Sequence, residues 1–196
     1  MEELLPYINR LELINPNTVT HQALQFAIKA HSGQVRKREP HLPMVIHPIS
    51  VANILRDYGC DDNVIAAGYL HDVVEDTSYT LEDIRKEFGE DIEHLVEVAT
   101  EPDKSLEWEE RKQHTIDTVK NLSTREKLVI MADKINNIEE IRDAMKKEGK
   151  KDFSIFKRGE KEQEWYYRNI YKSLANQEDE NNPLLVRLKS AIEEVF

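Results

Sequence analysis

The stretch HDVVEDT, which begins at His71, places one imidazole and three carboxylates within less than two helical turns. Side chains four positions apart share a helix face, so His71 lies beside Glu75, and Asp72 beside Asp76. The apolar run at residues 64–70 predicts that this helix is buried. Because burying several carboxylates without a cation costs much free energy, the stretch indicates a bound metal ion.

Two residues elsewhere in the chain could complete a ligand set. His47 lies at the mouth of a predicted helix, and Asp133 interrupts an apolar face. Taken singly, His47 could be a helix-start or core histidine, and Asp133 could cap a helix or pair with Lys134. With His71 and Asp72 they make two imidazoles and two carboxylates, which suit manganese, iron or zinc. Four protein ligands on a six-coordinate ion leave room for water and a phosphate oxygen, as metal-assisted hydrolysis requires.

Apolar residues at helical spacing through most of the chain predict an all-α fold. Capping boxes at Thr80 with Asp83 and at Ser123 with Glu126 mark two helix starts. Neither an alternating strand pattern nor an internal repeat is evident. The predicted helices cover residues 19–31, 48–58, 63–75, 80–88, 92–99, 106–120, 123–145, 160–173 and 184–195.

Three stretches are predicted to be loops, at residues 32–46, 146–158 and 175–182. The first contains the basic triplet that begins at Arg36, which could contact a polyanionic substrate or could simply be solvated. The basic stretch at 146–161 could likewise form a rim over phosphates or be a solvated loop. Both alternatives stay open for the second stretch.

The formal net charge of −11 disfavours non-specific nucleic-acid binding, which needs a broad basic face. No apolar run approaches the roughly 20 residues needed to span a bilayer, so no membrane association is expected. The acidic N-terminus lacks the pattern of a secretory signal, and the lone cysteine, Cys60, cannot form an internal disulfide. These features predict a cytoplasmic protein.

The ligand set and its flanking sequences resemble the (p)ppGpp hydrolase domain of RelA/SpoT-type enzymes, within the HD superfamily. His47, the adjacent pair His71 and Asp72, and Asp133 match the H…HD…D pattern of that superfamily. The resemblance covers roughly residues 20–174. The matching segments are AIKAHSGQVRK (27–37), IHPISVA (46–52), LHDVVEDT (70–77), FG (88–89), ERK (110–112) and MADKINNI (131–138).

The resemblance implies an HD-domain helical bundle, Mn²⁺ as the typical ion, and hydrolysis of (p)ppGpp to GDP or GTP and pyrophosphate. It implies that Glu75 and Asp76 form the catalytic acidic pair, although they could also be a solvated helix end. The metal ligands that it implies are His47, His71, Asp72 and Asp133. The substrate-binding residues expected from the matching segments are Arg36, Lys37, Arg111, Lys112, Lys134 and Asn137.

We expect residues 1–174 to form the HD hydrolase domain, 175–183 an acidic linker, and 184–196 a C-terminal helix packed on the same domain. Met44 stands where the family usually has a tyrosine, and the glycine of that loop is missing. This departure keeps open an HD hydrolase of another nucleotide, such as NADPH or a nucleoside phosphate. A non-catalytic alarmone-binding module is a further alternative. The expected partner is a small-molecule nucleotide, and the sequence does not fix the oligomeric state.

Overall fold

The computed structural model describes residues 2–101, 105–154, 156–176, 178 and 181–196. These residues form an all-α fold, as predicted, with a short 3-10 helix at Glu2–Leu4 and an isolated antiparallel bridge between Val35 and Pro43. The helices are α1 (Arg10–Ile14), α2 (Val19–Ala30), α3 (Ile46–Tyr58), α4 (Asp62–Leu70), α5 (Val73–Asp76), α6 (Leu81–Phe88), α7 (Glu90–Ala99), α8 (Trp108–Val119), α9 (Thr124–Glu148), α10 (Glu160–Leu174) and α11 (Pro183–Val195).

Tertiary contacts group the chain into an N-terminal unit, Met1–Thr100, and a C-terminal unit, Glu101–Phe196. In the N-terminal unit, α4 packs against α2, α3 and α7, and α6 packs against α7. In the C-terminal unit, α11 packs against α9 and α10, and α10 packs against α8. The predicted domain boundaries stay a prediction, and residues 177, 179 and 180 of the predicted linker lie outside the described residues.

Helices α3 and α4 approach closely because Gly68 has no side chain. A Cβ atom at Gly68 would lie 2.7 Å from Leu55 Cδ1 and 3.3 Å from Ala52 Cα, both on α3. Helix α3 begins at Ile46, earlier than predicted, so His47 belongs to its first turn. The close packing therefore fixes the helix that carries His47 against the helix that leads to His71.

The helix predicted over residues 63–75 is wrong in one respect, because it is interrupted. Helix α4 ends at Leu70, and the one-turn helix α5 begins at Val73. Between them, the His71 side chain bonds the carbonyl of Gly68 through Nδ1 at 2.9 Å. A side chain that satisfies one of the last carbonyls of a helix stabilises a helix end at that point.

Helix α1 was not predicted, since five residues are too few to show helical periodicity. It is tied to the N-terminal unit through Glu12, which is 1% exposed. Glu12 accepts a hydrogen bond from Thr20 at 3.0 Å and forms an ion pair with Arg56. Tyr69 lies beside this pair, with its hydroxyl 3.5 Å from Glu12, and burial raises the pKa of Tyr69 to about 12.

Helix α9 is 25 residues long and starts at the predicted capping box of Ser123 with Glu126. The capping box of Thr80 with Asp83 in the N-terminal unit is confirmed as well. On α10, Tyr166 and Tyr167 are buried, whereas Trp165 is 38% exposed. None of the helices in the described part of the chain is both long enough and apolar enough to cross a membrane. The cytoplasmic location stays a prediction.

Candidate metal centre and substrate-binding residues

Three donor side chains converge in the N-terminal unit. The Nε2 atoms of His47 and His71 lie 3.3 Å apart. One carboxylate oxygen of Asp72 lies 3.2 Å from His71 Nε2, and the other lies 3.5 Å from His47 Nε2. Ligand atoms that each bind one ion at about 2 Å are separated from one another by about 3 Å. The spacing of these donors therefore fits a shared cation.

The hydrogen bonding of His71 points its lone pair at that shared position. A backbone carbonyl can only accept a hydrogen bond, so the contact of His71 Nδ1 with the Gly68 carbonyl places the proton on Nδ1. Nε2 of the neutral ring then presents a lone pair toward His47. A carbonyl behind the far ring nitrogen is the usual arrangement for a metal-bound histidine. The residues His47 and His71 are each 3% exposed, so their rings lie below the surface of the protein.

The predicted acidic pair lies on the one-turn helix α5 and is half-buried, with Glu75 and Asp76 at its end. The backbone N–H of Asp76 donates to the carbonyl of Asp72 at 2.9 Å. Gln34 donates from its side-chain amide to the carbonyl of Asp76 at 2.8 Å, and His31 contacts the same amide. Both residues lie in a segment that resembles the family, but no sequence pattern indicated these contacts.

Asp133 lies on α9, in the C-terminal unit, with its carboxylate fixed from two sides. Lys134 Nζ lies 2.6 Å from one oxygen, and Asn137 Nδ2 donates to the other at 2.5 Å. Burial would lower the pKa of Lys134, but Asp133, Tyr166 and Glu101 together raise it well above its ordinary value. The pairing of Asp133 with Lys134 that the sequence left open is present. It orients the carboxylate and leaves the metal-ligand role of Asp133 a prediction.

The predicted basic residues Arg111 and Lys112 share one carboxylate, Glu101. Arg111 lies 2.7 Å from one oxygen of Glu101, and Lys112 forms an ion pair with the other. The Lys112 and Lys134 ammonium groups stand 4.8 Å and 5.7 Å from the centre of the Tyr166 ring. Burial would raise the pKa of Glu101, but Lys112, Lys134 and Arg111 hold it below its ordinary value. No sequence pattern indicated that Glu101 or Tyr166 belongs to this cluster.

The loop that carries Arg36 and Lys37 is closed by backbone hydrogen bonds. The N–H of Arg36 donates to Leu42 at 2.9 Å, and the N–H of Met44 donates to Gln34 at 2.9 Å. Lys37 is exposed, and Arg36 is half-buried. Their contact with substrate stays a prediction.

Much of the basic stretch at 146–161 is already compensated by carboxylates of the same unit. Its first residues are helical, since α9 continues to Glu148. Three of its cations form ion pairs at 2.5–2.8 Å, which favours an ion-paired surface over an open phosphate-binding rim. These pairs are Lys146 with Glu194, Lys151 with Glu160, and Arg158 with Glu109.

Known proteins resemble this chain in sequence and in structure. A family model described as "HD domain" matches residues 23–179. A Drosophila melanogaster protein named guanosine-3′,5′-bis(diphosphate) 3′-pyrophosphohydrolase is 41% identical over 128 residues, which are 64% of this chain and 71% of that protein. A solved metazoan ortholog of SpoT, described as hydrolysing ppGpp, superposes with a TM-score of 0.75 at 32% identity, over 91% of this chain and 96% of its own. A Listeria monocytogenes crystal structure gives a TM-score of 0.68 at 38% identity, over 75% of this chain and 91% of its own.

Proposed function

The chain belongs to the HD-domain family, and on that premise we propose that it is a metal-dependent hydrolase of (p)ppGpp. It releases pyrophosphate from the 3′ position and leaves GDP or GTP. Relatives named or described for this reaction support the substrate. The observation that carries the proposal is the convergence of His47, His71 and Asp72 at 3.2–3.5 Å.

We propose that His47, His71, Asp72 and Asp133 hold one divalent ion. The mixture of imidazole and carboxylate donors suits Mn²⁺, which we take as the ion of the working enzyme. When bound, such an ion lowers the pKa of water and polarises a phosphate oxygen. The Gly68 carbonyl fixes the His71 tautomer, and Lys134 and Asn137 fix the Asp133 carboxylate. The chain thus holds two of these ligands by hydrogen bonds within their own units.

The acidic pair handles the proton in this proposal. Glu75 or Asp76 accepts a proton from the attacking water, whose oxygen bonds to the phosphorus attached to the ribose 3′ oxygen. The bond between that phosphorus and the 3′ oxygen breaks, the 3′ oxygen takes up a proton, and pyrophosphate leaves. Half-burial of the pair keeps it in reach of substrate while limiting access of bulk water.

The basic residues offset the negative charge of the substrate, which an acidic protein of net charge −11 would otherwise repel. Glu101 orients Arg111 and Lys112, so that less side-chain entropy is lost when they contact phosphate oxygens. We propose substrate contact for Arg36, Lys37, Arg111, Lys112, Lys134 and Asn137.

Met44 is the reason to test a second candidate function, the hydrolysis of another nucleotide such as NADPH. It stands half-buried in the loop where the family usually has a tyrosine. The Mn²⁺-loaded protein should be incubated with ppGpp, pppGpp, NADPH and nucleoside triphosphates, with the products separated by ion-exchange chromatography. The proposal expects pyrophosphate and GDP from ppGpp. Cleavage of another nucleotide with ppGpp left intact would replace the alarmone by that nucleotide.

A further inference from the structure

Helix α5, called the acidic turn below, carries Glu75 and Asp76 and ends with carbonyl groups that have no hydrogen-bond donor within the helix. Helix α5 has four residues, and the last carbonyls of any helix lack partners within the helix. A single turn is also marginal in isolation, because nucleation costs more than one turn returns. The geometry of this turn must therefore come from tertiary contacts. The side-chain amide of Gln34 supplies one of them, at 2.8 Å from the carbonyl of Asp76.

The orientation of the Gln34 amide is set by His31. Because the Gln34 nitrogen donates to Asp76, its oxygen faces His31 Nδ1 at 2.8 Å and must accept there. Nδ1 of His31 therefore carries a proton, which it donates to Gln34. His31 is 2% exposed, and its Nε2 atom finds no hydrogen-bond partner among the described residues. Among the described residues, the hydrogen bond that this buried ring makes is the one to Gln34.

The backbone of Gln34 is held on both sides. Its N–H donates to the carbonyl of His31 at 3.0 Å, and its own carbonyl accepts from the N–H of Met44 at 2.9 Å. His31 is in turn held by its N–H, which donates to the carbonyl of Ala27 at the end of α2. The chain of contacts thus runs from the end of α2 through His31 and Gln34 to the acidic turn.

We propose that His31 and Gln34 are positioning residues, which fix the backbone carbonyl of Asp76 and so hold the acidic pair in its working place. The proposal rests on the proposed function, since it assumes that Glu75 and Asp76 handle the proton. A misplacement of about 1 Å near the reacting atoms costs on the order of 100-fold in rate. Loss of either contact should therefore lower kcat about 10- to 100-fold while KM changes little.

The experiment compares four variants of the divalent-loaded enzyme. Gln34→Met removes the amide at nearly constant size, and His31→Leu removes the donor to Gln34. His31→Asn offers an amide N–H near the position of Nδ1 and should restore most of the lost kcat. Asn53→Leu is the matched control, because Asn53 also donates from a half-buried amide to a backbone carbonyl, that of Tyr7, at 2.9 Å.

Two readouts decide the outcome, namely kcat and KM for ppGpp and the hydrogen exchange of the amides of Asp76 and Thr77. We expect Gln34→Met and His31→Leu to lower kcat and to speed this exchange, because the turn loosens. The Asn53→Leu control should do neither, even if its melting temperature falls as far. Exchange that stays unchanged in Gln34→Met overturns the proposal, and so does a kcat within twofold of the parent.

Failure of the proposed function would look different. If the parent itself released no pyrophosphate from ppGpp, the substrate would be wrong. The exchange of the Asp76 and Thr77 amides would then decide the positioning proposal alone, with faster exchange in both Gln34→Met and His31→Leu supporting it and unchanged exchange overturning it.

Discussion

The N-terminal and C-terminal units arrange their poorly exposed ionisable side chains in opposite ways. In the N-terminal unit, His47 and His71 turn ring nitrogens toward each other and toward the carboxylate of Asp72, so that groups suited to a cation face one another. In the C-terminal unit, the carboxylate of Glu101 has two cations of its own, since it contacts Arg111 and Lys112.

The contrast separates two kinds of dependence. A cluster of facing donors is stabilised by an added ion, since the ion binds the folded form and not the unfolded chain. A cluster that compensates its own charge loses folding stability when one member is removed, because the remaining charge is left buried without a partner. We therefore expect removal of a donor from the first cluster to weaken metal binding. Removal of a member of the second cluster should instead lower the stability of the fold.

The largest effect should come from removing an imidazole of the first cluster. His71→Ala should lower ppGpp hydrolysis at least about 1,000-fold, equivalent to about 4 kcal/mol of transition-state stabilisation, because divalent-ion binding is lost. Steady-state rates and calorimetric Mn²⁺ titration check this. His94→Ala is the control, since the side chain of His94 is 51% exposed and its Nδ1 atom lies 3.7 Å from an exposed carboxylate, that of Glu97. Full activity in His71→Ala would refute the assignment.

Substitutions of Glu75 or Asp76 should lower the rate of hydrolysis without lowering metal affinity. Glu75→Gln and Asp76→Asn should each lower kcat about 100- to 10,000-fold, because an amide cannot accept the proton of the attacking water. Mn²⁺ affinity and melting temperature should stay near those of the parent. Should the same calorimetric titration show that metal binding is lost too, the residue concerned would be a ligand instead.

A change in the cluster of Glu101, Arg111 and Lys112 should lower the stability of the fold and leave metal binding unchanged. Glu101→Gln should lower the free energy of unfolding by about 2–3 kcal/mol, because the charges of Arg111 and Lys112 lose their counter-charge. Urea unfolding followed by circular dichroism measures this. Glu109→Gln, at an exposed pair with Arg158, should leave the midpoint unchanged. Equal effects of the two changes would remove the distinction between the clusters.

The loss of stability caused by Glu101→Gln should depend on pH and should disappear at acidic pH. The pKa of Glu101 is lower in the folded protein than its ordinary value of 4.5, so its stabilising contribution is complete above that value. As pH falls through the folded pKa, the carboxylate is protonated and the contribution disappears. The stability difference between the parent and Glu101→Gln should therefore shrink below pH 4.5. A difference that is constant with pH would mean that the effect of the substitution is not electrostatic.

Sequence alone predicted what depends on neighbours along the chain. The capping boxes at Thr80 and Ser123 involve residues three apart, and both are present. The break after Leu70 was missed, because it accompanies a side-chain contact of His71 with a backbone carbonyl. The contact of Gln34 with Asp76 spans 42 positions and leaves no local pattern. Residue types thus indicated the chemistry, whereas the supporting contacts required the fold.

The most direct test of the central claim is pulsed electron paramagnetic resonance of the Mn²⁺-loaded protein. If His47 and His71 bind the ion, the spectrum will show modulation from imidazole nitrogen, and His71→Ala will weaken or remove it. Bound Mn²⁺ without any nitrogen coupling, or coupling that His71→Ala leaves unchanged, would contradict the account.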